Sequence, residues 1–153
     1  MVGCVGLFLK DARLEPHLGA MLTDMLITMT DRGPDSAGIA IYSGAGEGRA
    51  KITVQSSDPT REFRNMDEDL RDAIGQPVLM LVKDTHAVLE VPLAQLEAAR
   101  SALIHLRPLV NVMSAGESIE IFKEVGLPKD VASRFGIAKM AGPPGIGPTR
   151  MAT

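Results

Sequence analysis

At 153 residues and 16.3 kDa, with a formal net charge of −3, the chain is about one domain long and can bury a core of its own. Aromatic residues make up 3%, Trp is absent and there are 9 Met, so that core must be aliphatic and Met-rich. The acidic balance and the lack of any Lys/Arg run interleaved with aromatics argue against nucleic acid or an anionic membrane, leaving small molecules or proteins as partners. A lone Cys cannot form an internal disulfide, the start has no basic n-region followed by an apolar stretch and cleavage site, and apolar runs break well short of the roughly 20 residues needed to span a bilayer. A soluble protein of the reducing cytoplasm is expected.

In chain order, "MVGCVGLFLK" predicts a strand carrying Cys4. In "DARLEPHLGAMLTDMLITMT", Leu18, Met21, Leu22, Met25, Leu26 and Met29 recur at i, i+3, i+4, i+7, predicting an amphipathic helix that runs to about Thr30 with Pro16 in its first turn. "DRGPD" stops it and "SAGIAIYS" reads as a second strand. "GAGEG" reads as a turn, because it lacks the G-x-G-x-x-G spacing and leads into a strand rather than a helix N-terminus.

From Arg49 the pattern changes. "AKITVQSS" predicts a strand, and "DPTREFRNMDEDLRDAIG" a charged helix capped by Asp58, with Pro59 at its first position and Gly75 at its end. "PVLMLVKD" and "HAVLEV" follow as two strands. "PLAQLEAARSALIHLR" is a helix with Leu93, Leu96, Ala99, Leu103 and Leu106 inward, and "PLVNVMSA" is a strand. Strand, helix, strand, strand, helix, strand is the order of a ferredoxin-like unit (βαββαβ), expected as an insert at 49–115 with "KITVQ" paired to "VLMLV". The remainder predicts two short helices joined at Gly126 and Pro128, then a Gly/Pro-rich passage into a strand or loop at "PTRMAT".

Few residues suggest chemistry unaided. His17, His86 and His105 lie far apart with no ligand-type spacing, so neither a metal nor another cofactor is expected. The acidic run "DEDLRD" reads as a solvated helix face balanced by Arg61, Arg64 and Arg71. In "DRGPDSAG", glycine and proline make a sharp turn in which Asp35 and Ser36 can bond local amides.

Taken together, the opening M-x-G-x-V-G-L-F, "RGPDSAGIAIY" and "GIG-x-TRMAT" resemble the class II glutamine amidotransferases, which are N-terminal-nucleophile hydrolases. The likeness is nearest to the amidotransferase subunit of N-methylglutamate synthase and glutamate-synthase-like proteins. It implies an α+β fold, a partial αββα sandwich made of 1–48 and 116–153 with the ferredoxin-like insert at 49–115, truncated at the glutamine-binding motif. It also implies glutamine as substrate and a synthase subunit as the partner that receives ammonia.

In that chemistry an N-terminal Cys uses its own α-amine as general base to attack the glutamine amide. Aligned on "VGLF", the nucleophile's place holds Val2, and Cys4 becomes a core residue expected to react slowly with thiol reagents. The other register takes Cys4 as the nucleophile after processing behind Gly3. Pro148 stands where relatives carry His. Arg150 matches the arginine that grips the glutamine α-carboxylate, and Thr153 a neighbouring pocket position, although Arg150 also reads as a solvated terminal charge. The family's oxyanion donors fall beyond Thr153, and each such donor is worth roughly 10² to 10³ in rate. The resemblance therefore implies a glutaminase-type domain with catalysis impaired in this chain, or else a non-catalytic partner-binding or regulatory subunit of such a complex.

Overall fold

The computed structural model describes residues 2–150. The strands are β1 (Val2–Phe8), β2 (Ser36–Tyr42), β3 (Arg49–Gln55), β4 (Leu79–Lys83), β5 (His86–Pro92), β6 (Asn111–Gly116), β7 (Ile119–Val125) and β8 (Pro144–Arg150). The α-helices are α1 (Leu18–Thr28), α2 (Pro59–Glu62), α3 (Met66–Ile74), α4 (Leu96–Leu106) and α5 (Pro128–Phe135). The chain folds as mixed α+β and divides into two compact units, one built from residues up to Ser43 and from Ile121 onward, the other from Gly44–Glu120.

In the first unit the sheet order is β1-β8-β2-β7, with β8 antiparallel to both β1 and β2. The stripe Leu18, Leu22 and Leu26 of α1 is buried, flanked by half-buried Met21 and Met25. It packs on β8, where glycines make room: a Cβ on Gly145 would lie 2.7 Å from a Leu22 methyl, and one on Gly147 would lie 2.8 Å from Leu26 Cγ. The α-helix starts later than its periodicity suggested. Ala12–His17 is a 3-10 helix, capped by an Asp11 side chain that accepts the Arg13 N–H, and Pro16 within it has no N–H to donate.

"SIEIFKEV" is a strand, β7, and not the first of two helices. Its Ile residues and two-residue alternation suit a pleated surface, and Phe122 turns inward onto Phe135 of α5 at 5.4 Å. The helix that does form, α5, begins with Pro128 and ends at left-handed Gly136.

Cys4 is exposed and is not a core residue. The reason is parity: Gly3 faces Met29 of the helical layer, so Val2, Cys4, Gly6 and Phe8 take the other face of β1. That face is open and apolar, with Val2 71% and Phe8 69% exposed beside exposed Ile146 and Pro148 of β8.

In the second unit the order is β4-β5-β3-β6 with every paired neighbour antiparallel. "KITVQ" therefore pairs with β5 and β6, and "VLMLV" becomes an edge. α2 and α3 carry the chain from β3 to β4, and the slot beside β3 is filled by β5. This is the spatial order of a split βαβ pair. The unit reaches beyond 49 and 115 because its loops close on each other, the Ala45 N–H donating to the Glu117 carbonyl at 3.0 Å.

Ala50, Ile52 and Val54 of β3 and Ala87, Leu89 and Val91 of β5 bury one sheet face against Met66, Leu70, Ala99 and Leu103. The helix expected over 58–75 is two helices. Asn65 breaks it in the left-handed conformation (φ 55°), which lets Phe63 and Met66 both enter the core. Asp58 caps the first and Gly75 (φ 68°) ends the second. At α4, Ala99 and Leu103 are buried, but Leu93 lies outside the helix and both it and Leu106 are exposed. No helix among the described residues is long and apolar enough to cross a membrane.

The opposite sheet face holds a buried ion pair, with Lys51 Nζ donating to Glu120 Oε1 at 2.6 Å. Burial pushes the nearby Lys83 ammonium to a lower pKa, which Glu120 opposes and Lys51 reinforces. Breaking a buried pair leaves one charge uncompensated, so Glu120→Ala is expected to destabilise the fold by about 3 kcal/mol in urea titration. Replacing both partners with Lys51→Met and Glu120→Leu should recover most of that loss.

Candidate functional site

Three segments far apart in sequence meet at one end of the first unit's sheet. In the pairing register, Arg150 lies opposite Val2 on one side and opposite Ser36 on the other. Residues directly opposite in antiparallel strands have Cβ atoms about 5 Å apart, so these three side chains form a row on the open face. Pro34 bridges Arg150 as well, and the Asp35 N–H donates to the Arg150 carbonyl at 3.0 Å. The Asp35 carbonyl in turn accepts the Gly126 N–H at 2.9 Å.

The "RGPDS" turn is thus more than a local helix stop. Gly33 is there because the backbones touch: a Cβ on it would lie 2.5 Å from the Arg150 nitrogen and 2.7 Å from Thr149 Oγ1. Its φ of −170° is extended and unstrained, so close approach is what demands glycine. Thr149 Oγ1 is buried there with no hydrogen-bond partner among the described residues.

Arg150 is exposed at the centre of the row, and its guanidinium is a planar fork suited to a carboxylate. Val2 brings no nucleophile or acid–base group. Cys4 sits one pair further along the same face, opposite Pro148, with its Sγ 3.8 Å from the Val5 carbonyl oxygen. Thr153 lies outside the described residues. The histidines stay apart: His86 is buried with Nδ1 3.1 Å from Thr85 Oγ1, His105 has Nδ1 2.8 Å from the Ser101 carbonyl oxygen, and His17 sits at the start of α1. Sequence reasoning did not single out Ser36 or Gly33 as partners of Arg150. The only signal available was the Gly-Pro-Asp-Ser string itself, which a local turn also explains.

No protein-family profile matches the chain. It is 58% identical over all 153 residues to the glutamine amidotransferase-like protein GlxB of Rhizobium meliloti. A Methanothermobacter thermautotrophicus protein assigned provisionally as a glutamine amidotransferase is 29% identical over 161 residues. The chain spans about half the length of these curated relatives, 50% and 52%. These likenesses support a glutamine amidotransferase family in the broad sense.

Two outcomes follow from the geometry. An Ellman titration of the native chain should label Cys4 at a rate within about tenfold of that in urea, since its side chain is exposed. Gly33→Ala should lower stability by about 1–3 kcal/mol, read from the urea midpoint, because the added methyl meets backbone that cannot move aside.

Proposed function

We propose that this chain is a class II glutamine amidotransferase-like domain, part of an αββα N-terminal-nucleophile sandwich, whose ancestral reaction is glutamine hydrolysis delivering ammonia to a glutamate-synthase-like partner. The observation that carries the reading is the row Val2, Arg150, Ser36. The position aligned with the nucleophile stands beside the arginine aligned with the carboxylate grip, although about 150 residues separate them in the chain. Arg150 holds the α-carboxylate of glutamine through a bidentate contact. The open apolar face agrees with a second sheet layer packing there in the whole protein.

Val2 in the nucleophile's place leaves no thiol next to the terminal amine, so this chain is catalytically silent. Its role then shifts to binding glutamine or a synthase subunit. A second reading draws on the exposure of Cys4 on the same face as Arg150. Cleavage after Gly3 would pair its thiol with a free α-amine.

The experiment measures ammonia released from glutamine by four proteins: the chain, its Val2→Cys form, and each of these fused beyond Thr153 to the part of the rhizobial relative outside the match. Turnover is expected only from the extended Val2→Cys protein. Turnover by the extended protein that keeps Val2, together with a mass spectrum beginning at Cys4, would establish the second reading instead. In calorimetry, Arg150→Ala should weaken any glutamine binding at least about tenfold, the worth of a charge-assisted bidentate contact.

A further inference from the structure

We propose that the chain self-associates through β4, the edge strand of the second unit, pairing antiparallel with β4 of a second copy about a two-fold axis at Leu81. Edge strands normally carry a protecting charge, proline or bulge, because their outward backbone groups invite another strand. β4 reads Leu-Met-Leu-Val-Lys, pairs with β5 without a register shift, and leaves Leu79 63%, Leu81 59% and Val82 49% exposed. Its one charge is at its last residue. Nothing in the strand repels a partner that is itself apolar.

The register follows from charge and parity. Leu79, Leu81 and Lys83 share one face of the strand, and on β5 Glu90 lies opposite Leu79 on that same face. With the axis at Leu81, Leu81 meets Leu81 of the second copy, Met80 meets Val82, and Lys83 lies across Leu79 of the second copy. Glu90 of the second copy is then one strand further on. Two strand spacings come to about 9.5 Å, which a lysine and a glutamate side chain together span.

The two-fold makes this contact twice. Moving the axis to Met80 sets Lys83 against Pro77, and moving it to Val82 sets Leu79 against Thr85 of the turn and Lys83 against Leu81. Neither brings Lys83 to Glu90. Of these registers, the one at Leu81 brings Lys83 within reach of Glu90 of the second copy, and it is self-complementary, as an isologous contact must be.

Sedimentation of the full chain at about 0.1 mM, a concentration suited to a short interface, should give a species of twice the 16.3 kDa chain mass. Leu81→Glu puts two carboxylates face to face on the axis and should raise the dimer dissociation constant at least about tenfold, with an unchanged circular dichroism spectrum. Lys83→Glu should weaken the dimer about fivefold, and adding Glu90→Lys in the same chain should restore it, because reversing both charges keeps them complementary. A monomeric unmodified chain overturns the proposal, as does a dimer indifferent to Leu81→Glu. Failure of the double exchange to rescue Lys83→Glu overturns the register.

Discussion

The first unit depends on one packing constraint: β8 has no side chains where α1 needs to lie. Its helix-facing positions run Gly145, Gly147, Thr149, and the leucines of α1 descend into the space that two Cβ atoms would fill. The close approach buries Leu18, Leu22 and Leu26 completely or nearly so, each contributing roughly 2 kcal/mol of apolar burial. On the other side of β8, its register with β1 and β2 sets Val2 and Ser36 beside Arg150.

That constraint explains why a string read as a signature of chemistry has a structural duty as well. In "GIGPTR" the alternate residues Ile146, Pro148 and Arg150 face the open side, while the small ones face the helix. The row at the end of the sheet is a by-product of the same alternation. Gly33 extends the theme: the turn after α1 can reach β8 only because it presents backbone to backbone. Packing and site are two faces of one strand.

The second unit is organised differently. Its core forms between one sheet face and α3 and α4, and the other face carries a buried Lys51–Glu120 pair. Such a pair adds little net stability over an apolar replacement but punishes the loss of either member, so it specifies one arrangement more than it strengthens it. β4 stands apart from both patterns, apolar on an edge where solvated residues would be ordinary.

From its sequence alone, most of this protein's local structure was legible. The first strand, the α1 stripe, the Asp58 cap, the Gly75 stop and the βαββαβ order all rest on periodicity and on residues with strong backbone preferences, which act over a few neighbours. β8, by contrast, takes up much of a Gly/Pro-rich passage that read only as leading into a strand or loop. The resemblance to amidotransferases rested on short strings that survive in order along the chain. What tertiary structure decided was every question of face and partner. Cys4 lies in an apolar run and looks like core, but the face on which it falls was set by Gly3 fitting against Met29. "KITVQ" and "VLMLV" are neighbours in the chain's list of strands, yet pairing went to β5, because a helical crossover leaves a slot between them. The break at Asn65 arose where core packing outweighed a helical composition, and the strand in "SIEIFKEV" follows a two-residue alternation that buries Glu120 and Phe122. The row of Val2, Arg150 and Ser36 exists only through strand register, and register joins residues that no local preference can connect.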